Sequence, residues 1–382
     1  MIILGVVVLA VGVYWLYFSI RTQHMEKLTA ALPSPPSLPL LGNAMMFIGN
    51  TEKMLHNLEY LADLAHKHKG CVKIWLGPKL YIAIGNPEDA QLVLENCLDK
   101  DGVYRFLRAW LGHGLFVAPV GLWKTHRKVL LPVFHNKVVE EYLGVIGQQA
   151  GVLVGRLADH DGQGEFDVLK YITACTLDIV FETAMGERMD VQHTPDTPYL
   201  RARHTVISIL NMRLFKVWLQ PDCLFNLTSY AKQQRDNIDL THKFTDEVVK
   251  KKRQEYENKK NQVDNDQTKE AGCGVTLPAG AGAVIGSFAI HKSKAVWGAN
   301  ADDFDPDRFL PERSVGRHPA AFLPFSFGSR NCIGRNFGML IMKSIISSIV
   351  RAYKINAKPI DRLKIEVLLF PTNGHQIMLR RR

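Results

Sequence analysis

The chain has 382 residues, 47% hydrophobic and 22% charged, with 18 prolines and 29 glycines. That composition excludes a collagen, a coiled coil and a wholly disordered chain, and the length suffices for one large domain or two medium ones. Lys and Arg exceed Asp and Glu by 47 to 37, a formal charge of +10, which suits an anionic membrane surface or an acidic partner and is too dispersed to argue nucleic acid.

Residues 2–20 carry no charged side chain. A helix of that length spans about 28 Å, close to the hydrocarbon thickness of a bilayer. Tyr14, Trp15 and Tyr17 gather toward one end, Arg21 and Lys27 follow, and no charge precedes the run. The positive-inside bias then leaves the rest of the chain in the cytosol. A cleaved signal peptide fits less well, because the first residues lack Lys or Arg and the apolar run ends in aromatics. The sequence therefore predicts a transmembrane anchor over residues 1–20, and a linker and proline-rich hinge over 21–43, where Pro33, Pro35, Pro36 and Pro39 preclude helix. A single domain follows over 44–382.

Within that domain, residues 52–68 have helical periodicity. Residues 71–75 and 80–84 flank Gly77 and Pro78 as a β-hairpin, and Pro87 opens a helix at its first position. From about 110 to 256 the pattern is mostly helical. Residues 250–270 hold almost no apolar side chain and read as a solvated helix end followed by a surface loop. Residues 276–290 read as turn and strand, 304–311 as a Pro- and Asp-rich coil, and 333–352 as an apolar helix. The six cysteines form no CxxC pair, which removes zinc and thioredoxin chemistry and fits reduced thiols. Asn226-Leu227-Thr228 matches a glycosylation acceptor, but a cytosolic domain would not meet the transferase.

The sharpest chemical signal is Phe325-Ser326-Phe327-Gly328-Ser329-Arg330-Asn331-Cys332-Ile333-Gly334. These residues describe a loop that presents one thiol at the mouth of a helix. Gly328 permits a tight turn, and Gly334 lets the helix start approach a flat ligand. The helix N-terminus stabilises a negative sulfur, Phe325 shields it, and Arg330 is placed to pair with an anion. A shielded, hydrogen-bonded thiolate is what an axial ligand of heme iron requires.

This signature resembles the heme-binding loop of the cytochrome P450 family. Phe304-Asp305-Pro306-Asp307-Arg308-Phe309 is similar to the family's meander, His291 and Trp297 fall where its preceding loop has them, and residues 32–42 resemble its proline hinge. Trp123 and Arg127 resemble a WxxxR motif whose side chains hold a heme propionate. Residues 177–186 further resemble the microsomal family 4 group, many of whose members hydroxylate fatty acids and other long-chain lipids. The resemblance implies a mainly α fold with small β-sheets and a heme cofactor. It implies Cys332 as the iron ligand, with Trp123, Arg127, Arg330, Phe325, Gly328 and Gly334 as further cofactor-binding residues. It also implies an NADPH-dependent reductase as electron donor, a lipophilic substrate, and an endoplasmic reticulum membrane location with the catalytic domain facing the cytosol.

Two marks of that family are missing. The chain has no AGxDT run and no Glu with an Arg three residues later, and the break falls near 270–274. The first is the acid–alcohol pair that delivers protons to iron-bound dioxygen; the second pairs with the meander arginine, here Arg308. If Arg308 is buried it lacks that partner, and a broken buried ion pair costs about 3–5 kcal/mol; apolar helix faces are expected to be uncovered. Two readings follow. One is a heme-thiolate monooxygenase inserting one oxygen atom of O2 into a fatty-acid-like or xenobiotic substrate. The other is a catalytically inactive truncated isoform or gene-model fragment, acting at most as a heme- or membrane-binding protein.

Overall fold

The computed structural model describes residues 2–257, 278, 280–360, 362–365 and 368–382, and its helices far outnumber its short strands, as the sequence predicts. The chain groups into two units. One comprises Met1–Asp101 and Lys269–Cys332, the other Gly102–Thr268 and Ile333–Arg382.

In the first unit the apolar N-terminal run is one helix, Ile2–Leu28, which continues past Ile20 into the expected linker. Many of its side chains lie outside the described residues. Among the described residues no helix is long and apolar enough to cross a membrane. The proline hinge beyond it is non-helical, and its carbonyls need donors that prolines cannot supply. Buried Asn43 provides them, donating from Nδ2 to the carbonyls of Pro35 and Pro36 at 3.0 Å each. Asn43 Oδ1 accepts the Trp75 N–H at 2.8 Å, which pins the hinge to the first strand.

The helix Thr51–Lys67 and the hairpin of Cys71–Leu76 and Lys79–Ile84 match their expected places. Alternation in the second strand buries Leu80, Ile82 and Ile84. Pro87–Asn96 follows as a helix, with Asn86 Oδ1 accepting the Asp89 N–H at 2.8 Å. A third strand, Gly282–Ile285, runs parallel to Lys79–Ile84. The expected strand to residue 290 ends sooner, because the register runs out at Ile84 opposite Ile285. Residues past that point have no ladder partner and turn into the helix Ser287–His291 instead. Ile82, Ile84, Ala90, Val93, Ile290, Ala320 and Leu323 form the core beneath.

The second unit is helical. Leu143–Leu157, Leu169–Val180 and Arg335–Ala352 contribute Ile146, Ala150, Leu153, Leu157, Cys175, Ile179, Ile341, Ile345 and Ile349 to one core at helical spacing. Gln376–Arg381 pairs with Tyr353–Asn356 and with Phe166–Asp167 at its margin. Asp178 is buried and accepts the backbone N–H groups of Val191 and Gln192 at 2.7 and 2.9 Å, so its charge is met by two donors. A further core joins Pro198–Phe215 to Ser229–Glu257 through Val206, Leu210 and Ile238. The remainder of the expected charged loop, the turn at 276–277 and the break at 270–274 lie outside the described residues.

Candidate functional site

The cysteine loop is built from nested turns. Ser326 N–H donates to the Leu323 carbonyl at 3.2 Å, Asn331 N–H to the Gly328 carbonyl at 3.1 Å, and Cys332 N–H to the Phe325 carbonyl at 2.9 Å. Gly328 has φ +69°, and a Cβ there would stand 2.5 Å from the Leu94 carbonyl oxygen. Glycine is thus required twice, by conformation and by the approach of the Pro87–Asn96 helix. Ser326 also lies in the left-handed region, at φ 64°. A non-glycine there costs of order 1 kcal/mol and persists only where the surroundings impose it.

The loop leaves the Cys332 thiol exposed. Two residues later Gly334 caps the Arg335–Ala352 helix with an ordinary φ of −87°. The nearest atom to a Cβ at Gly334 would be in the Phe134 ring, at 3.7 Å, so protein packing does not demand glycine here. Phe325 and Arg330 are half-buried. Burial, reinforced by the positive charge of Arg330, lowers the pKa of Lys100. Lys100 therefore belongs to the cationic surroundings of the loop. Sequence reasoning missed it, because a lone lysine about 230 residues away carries no motif to flag it.

Trp123 and Arg127 belong to the second unit, on the helix Val120–Leu130. They lie one turn apart, with the Arg127 guanidinium 5.8 Å from the Trp123 ring centroid. Trp123 is 5% exposed and Arg127 half-buried. The segment after this helix meets the start of Arg335–Ala352, where Asn336 Nδ2 donates to Asn136 Oδ1 at 2.6 Å. The structure thus gathers Phe325, Gly328, Arg330 and Cys332 in one loop of the first unit. It brings Gly334 beside the chain that follows Trp123 and Arg127 in the second.

Arg308 is buried without an ExxR glutamate, and other groups meet its guanidinium. It is 7% exposed, yet it is not left without partners. Its guanidinium donates to the Trp297 carbonyl at 2.8 Å and to the Asn300 carbonyl, and Nε lies 3.8 Å from the Asp305 carboxylate. Backbone oxygens and a local aspartate stand in for the missing glutamate, because a guanidinium can donate to any suitably placed oxygen.

One thiol at a helix mouth, with cations around its loop, suits a metal that arrives already held in an anionic organic frame. Among the described residues no three His, Cys, Asp or Glu side chains converge as a metal site. Heme, with an open axial position and two propionates, fits this donor set.

The fold and this loop suit a heme-binding protein. The chain matches the Cytochrome P450 family over residues 32–270 and 263–379, and it belongs to that family, whose cofactor is heme and whose general activity is monooxygenation. It is similar to Cytochrome P450 4c3 of Drosophila melanogaster at 27% identity, covering 96% of this chain and 92% of the relative. It is also similar to Cytochrome P450 4V2 of Homo sapiens, at 26% identity over 90% and 88%. Its type is therefore that of family 4. The first of these alignments extends over 496 positions, so more than a hundred have no counterpart in the 382 residues here. Among solved structures, one described as the crystal structure of cytochrome P450DA heme domain superposes with a TM-score of 0.72 at 18% identity. It covers 92% of this chain and 97% of that one, a likeness of fold.

Proposed function

We propose that this chain is a membrane-anchored heme-thiolate monooxygenase of the family 4 type, with Cys332 as the protein ligand to iron. Bound heme supplies the iron at which dioxygen is activated for insertion of one oxygen atom into a substrate. Cys332 gives its thiolate to that iron, and the exposure of its side chain supports the role. The loop's turns fix where the sulfur stands, and Phe325 is assigned to shield it when the ring is bound. Arg330 and Lys100 on the loop side, and Trp123 and Arg127 on their helix, are assigned to the propionates. Gly334 leaves room for the flat ring. Residues 1–20 serve as anchor and 21–43 as hinge, with residues 44–382 as the heme domain, broken near 270–274. The apolar run and the charges after it favour the endoplasmic reticulum membrane, with the domain on the cytosolic side. The basic surplus suits an acidic NADPH-dependent reductase, and the resemblance of residues 177–186 to family 4 favours a lipophilic substrate, fatty-acid-like or xenobiotic.

The observation that carries this reading is the exposed thiol at position 332, set by a glycine-dependent loop at a helix mouth. The test is the reduced, CO-treated protein. The red-shifted Soret band of thiolate ligation is expected, and Cys332→Ala should abolish it; no such band in the unmodified protein would sink the assignment.

A second reading, heme binding without turnover, is favoured by one specific observation. The chain holds neither AGxDT nor ExxR, so the acid–alcohol pair that would pass protons to dioxygen has no counterpart. Uncoupled consumption of NADPH without product, in a sample that shows the thiolate band, would select this reading. A transcript that carries extra codons near 270–274 would instead restore the first.

A further inference from the structure

A cleft of about 480 Å³ opens in the first unit between the start of the Pro87–Asn96 helix and the segment 295–318. Its walls include Glu88, Trp297, Arg308, Arg313, Arg317 and His318. The volume lies in the range of small-molecule sites. Three guanidiniums meet here, and their carboxylate supply is short. Asp305 accepts two bonds from Arg313, at 2.9 and 3.4 Å, and also stands 3.8 Å from Arg308 Nε. One aspartate therefore serves two arginines, and its carboxyl is held below the usual carboxylate range chiefly by the Arg313 hydrogen bond.

Arg317 has no carboxylate within ion-pair reach among the described residues. Its Nη2 donates to the carbonyls of Arg308 and Arg313 at 2.6 and 2.9 Å. Its guanidinium stacks 4.5 Å from the Trp297 ring centroid and 5.7 Å from that of Phe309. Those contacts fix the guanidinium plane and leave Nε and Nη1 as further donors. His318 Nδ1 accepts the Ala320 N–H at 3.1 Å, so its Nε2 carries the donor proton in the neutral ring. Glu88, exposed on the wall, is the cleft's own carboxylate and opposes an anion.

We propose that this cleft binds a small oxyanion with at least two negative charges, a polyphosphate or a polycarboxylate, held by Arg313 and Arg317 with Arg308 as the buried counter-charge. Charge-assisted bonds from pre-positioned guanidiniums are the strong kind, and more than one arginine is needed to match a multivalent anion. This site is separate from the cysteine loop and does not depend on heme.

The test is calorimetric titration of the full chain with pyrophosphate and, separately, with citrate, using sodium chloride as the monovalent control. Saturable binding of pyrophosphate alone assigns the phosphate source, of citrate alone the carboxylate source, and of both the shared oxyanion chemistry. Arg313→Gln and Arg317→Gln should each weaken binding about tenfold, while Glu88→Gln should tighten it. The Glu88 variant separates a ligand site from a structural role, because a purely structural cluster would not gain affinity. Arg313 is exposed, so its variant keeps the test open if Arg317→Gln unfolds. No saturable binding of either anion at about 10 mM would overturn the proposal. So would affinities unchanged in the Arg313 and Glu88 variants, or binding of a polyglutamate peptide alone.

Discussion

The segment around Arg308 and the outer face of the Arg335–Ala352 helix differ in whether their groups find partners. Around Arg308 a missing acidic partner has been replaced from nearby, by the carbonyls of Trp297 and Asn300 and by Asp305. On the helix, Ile341, Ile345 and Ile349 are buried, but Met339, Met342, Ile346 and Val350 stay exposed as a stripe at helical spacing, Ile346 to 59%. The difference is one of chemistry. A guanidinium can be satisfied by any oxygen within reach, and the backbone supplies oxygens everywhere. An apolar face needs the area of another element laid against it, and no local turn can provide that.

Four measurements would break or sharpen this contrast. Arg308→Ala should have the largest effect, about 3 kcal/mol of stability by denaturant titration, since two carbonyls and a carboxylate lose their charged donor. A loss below about 0.5 kcal/mol would mean that the replacement partners contribute little. Gly328→Ala should lose about 2 kcal/mol, because the new Cβ meets the Leu94 carbonyl at a positive φ. The same variant should displace Cys332 and weaken the CO-difference band. The double variant Met342→Ser with Ile346→Ser should change unfolding by no more than about 0.5 kcal/mol. It should also reduce dye binding to apolar surface and self-association in ultracentrifugation, and a large destabilisation would show that the stripe is covered after all.

The smallest effect is a pH dependence. His291 Nε2 accepts the Leu323 N–H at 2.7 Å, and burial lowers its pKa from the ordinary 6.5. The folded protein favours the neutral ring, so this contribution is complete above about pH 6.5 and is lost as pH falls below it. Unfolding midpoints measured from pH 8 to 5 should decline in the acid range, and His291→Gln should flatten that decline.

Patterns of short range were legible beforehand. The hairpin follows from alternation around Gly77 and Pro78, the Pro87 helix from its first residue, and the cysteine loop from five residues at fixed offsets. Missed features depended on partners distant in sequence. Lys100 enters the loop's surroundings only because folding carries it near Arg330. The strand expected to reach residue 290 stops at Ile285 because its neighbour ends at Ile84. For Arg308 the sequence shows which motif is absent and not which carbonyls turn toward its charge.

By itself, then, the sequence determined the family, the thiol proposed for the site and the absence of two family motifs, since each is written in residues close together. Only the tertiary structure decided which groups find partners. Arg308 finds oxygens within a few ångströms, whereas the stripe on Arg335–Ala352 stays exposed, because hydrogen bonds are satisfied atom by atom and burial only by whole surfaces.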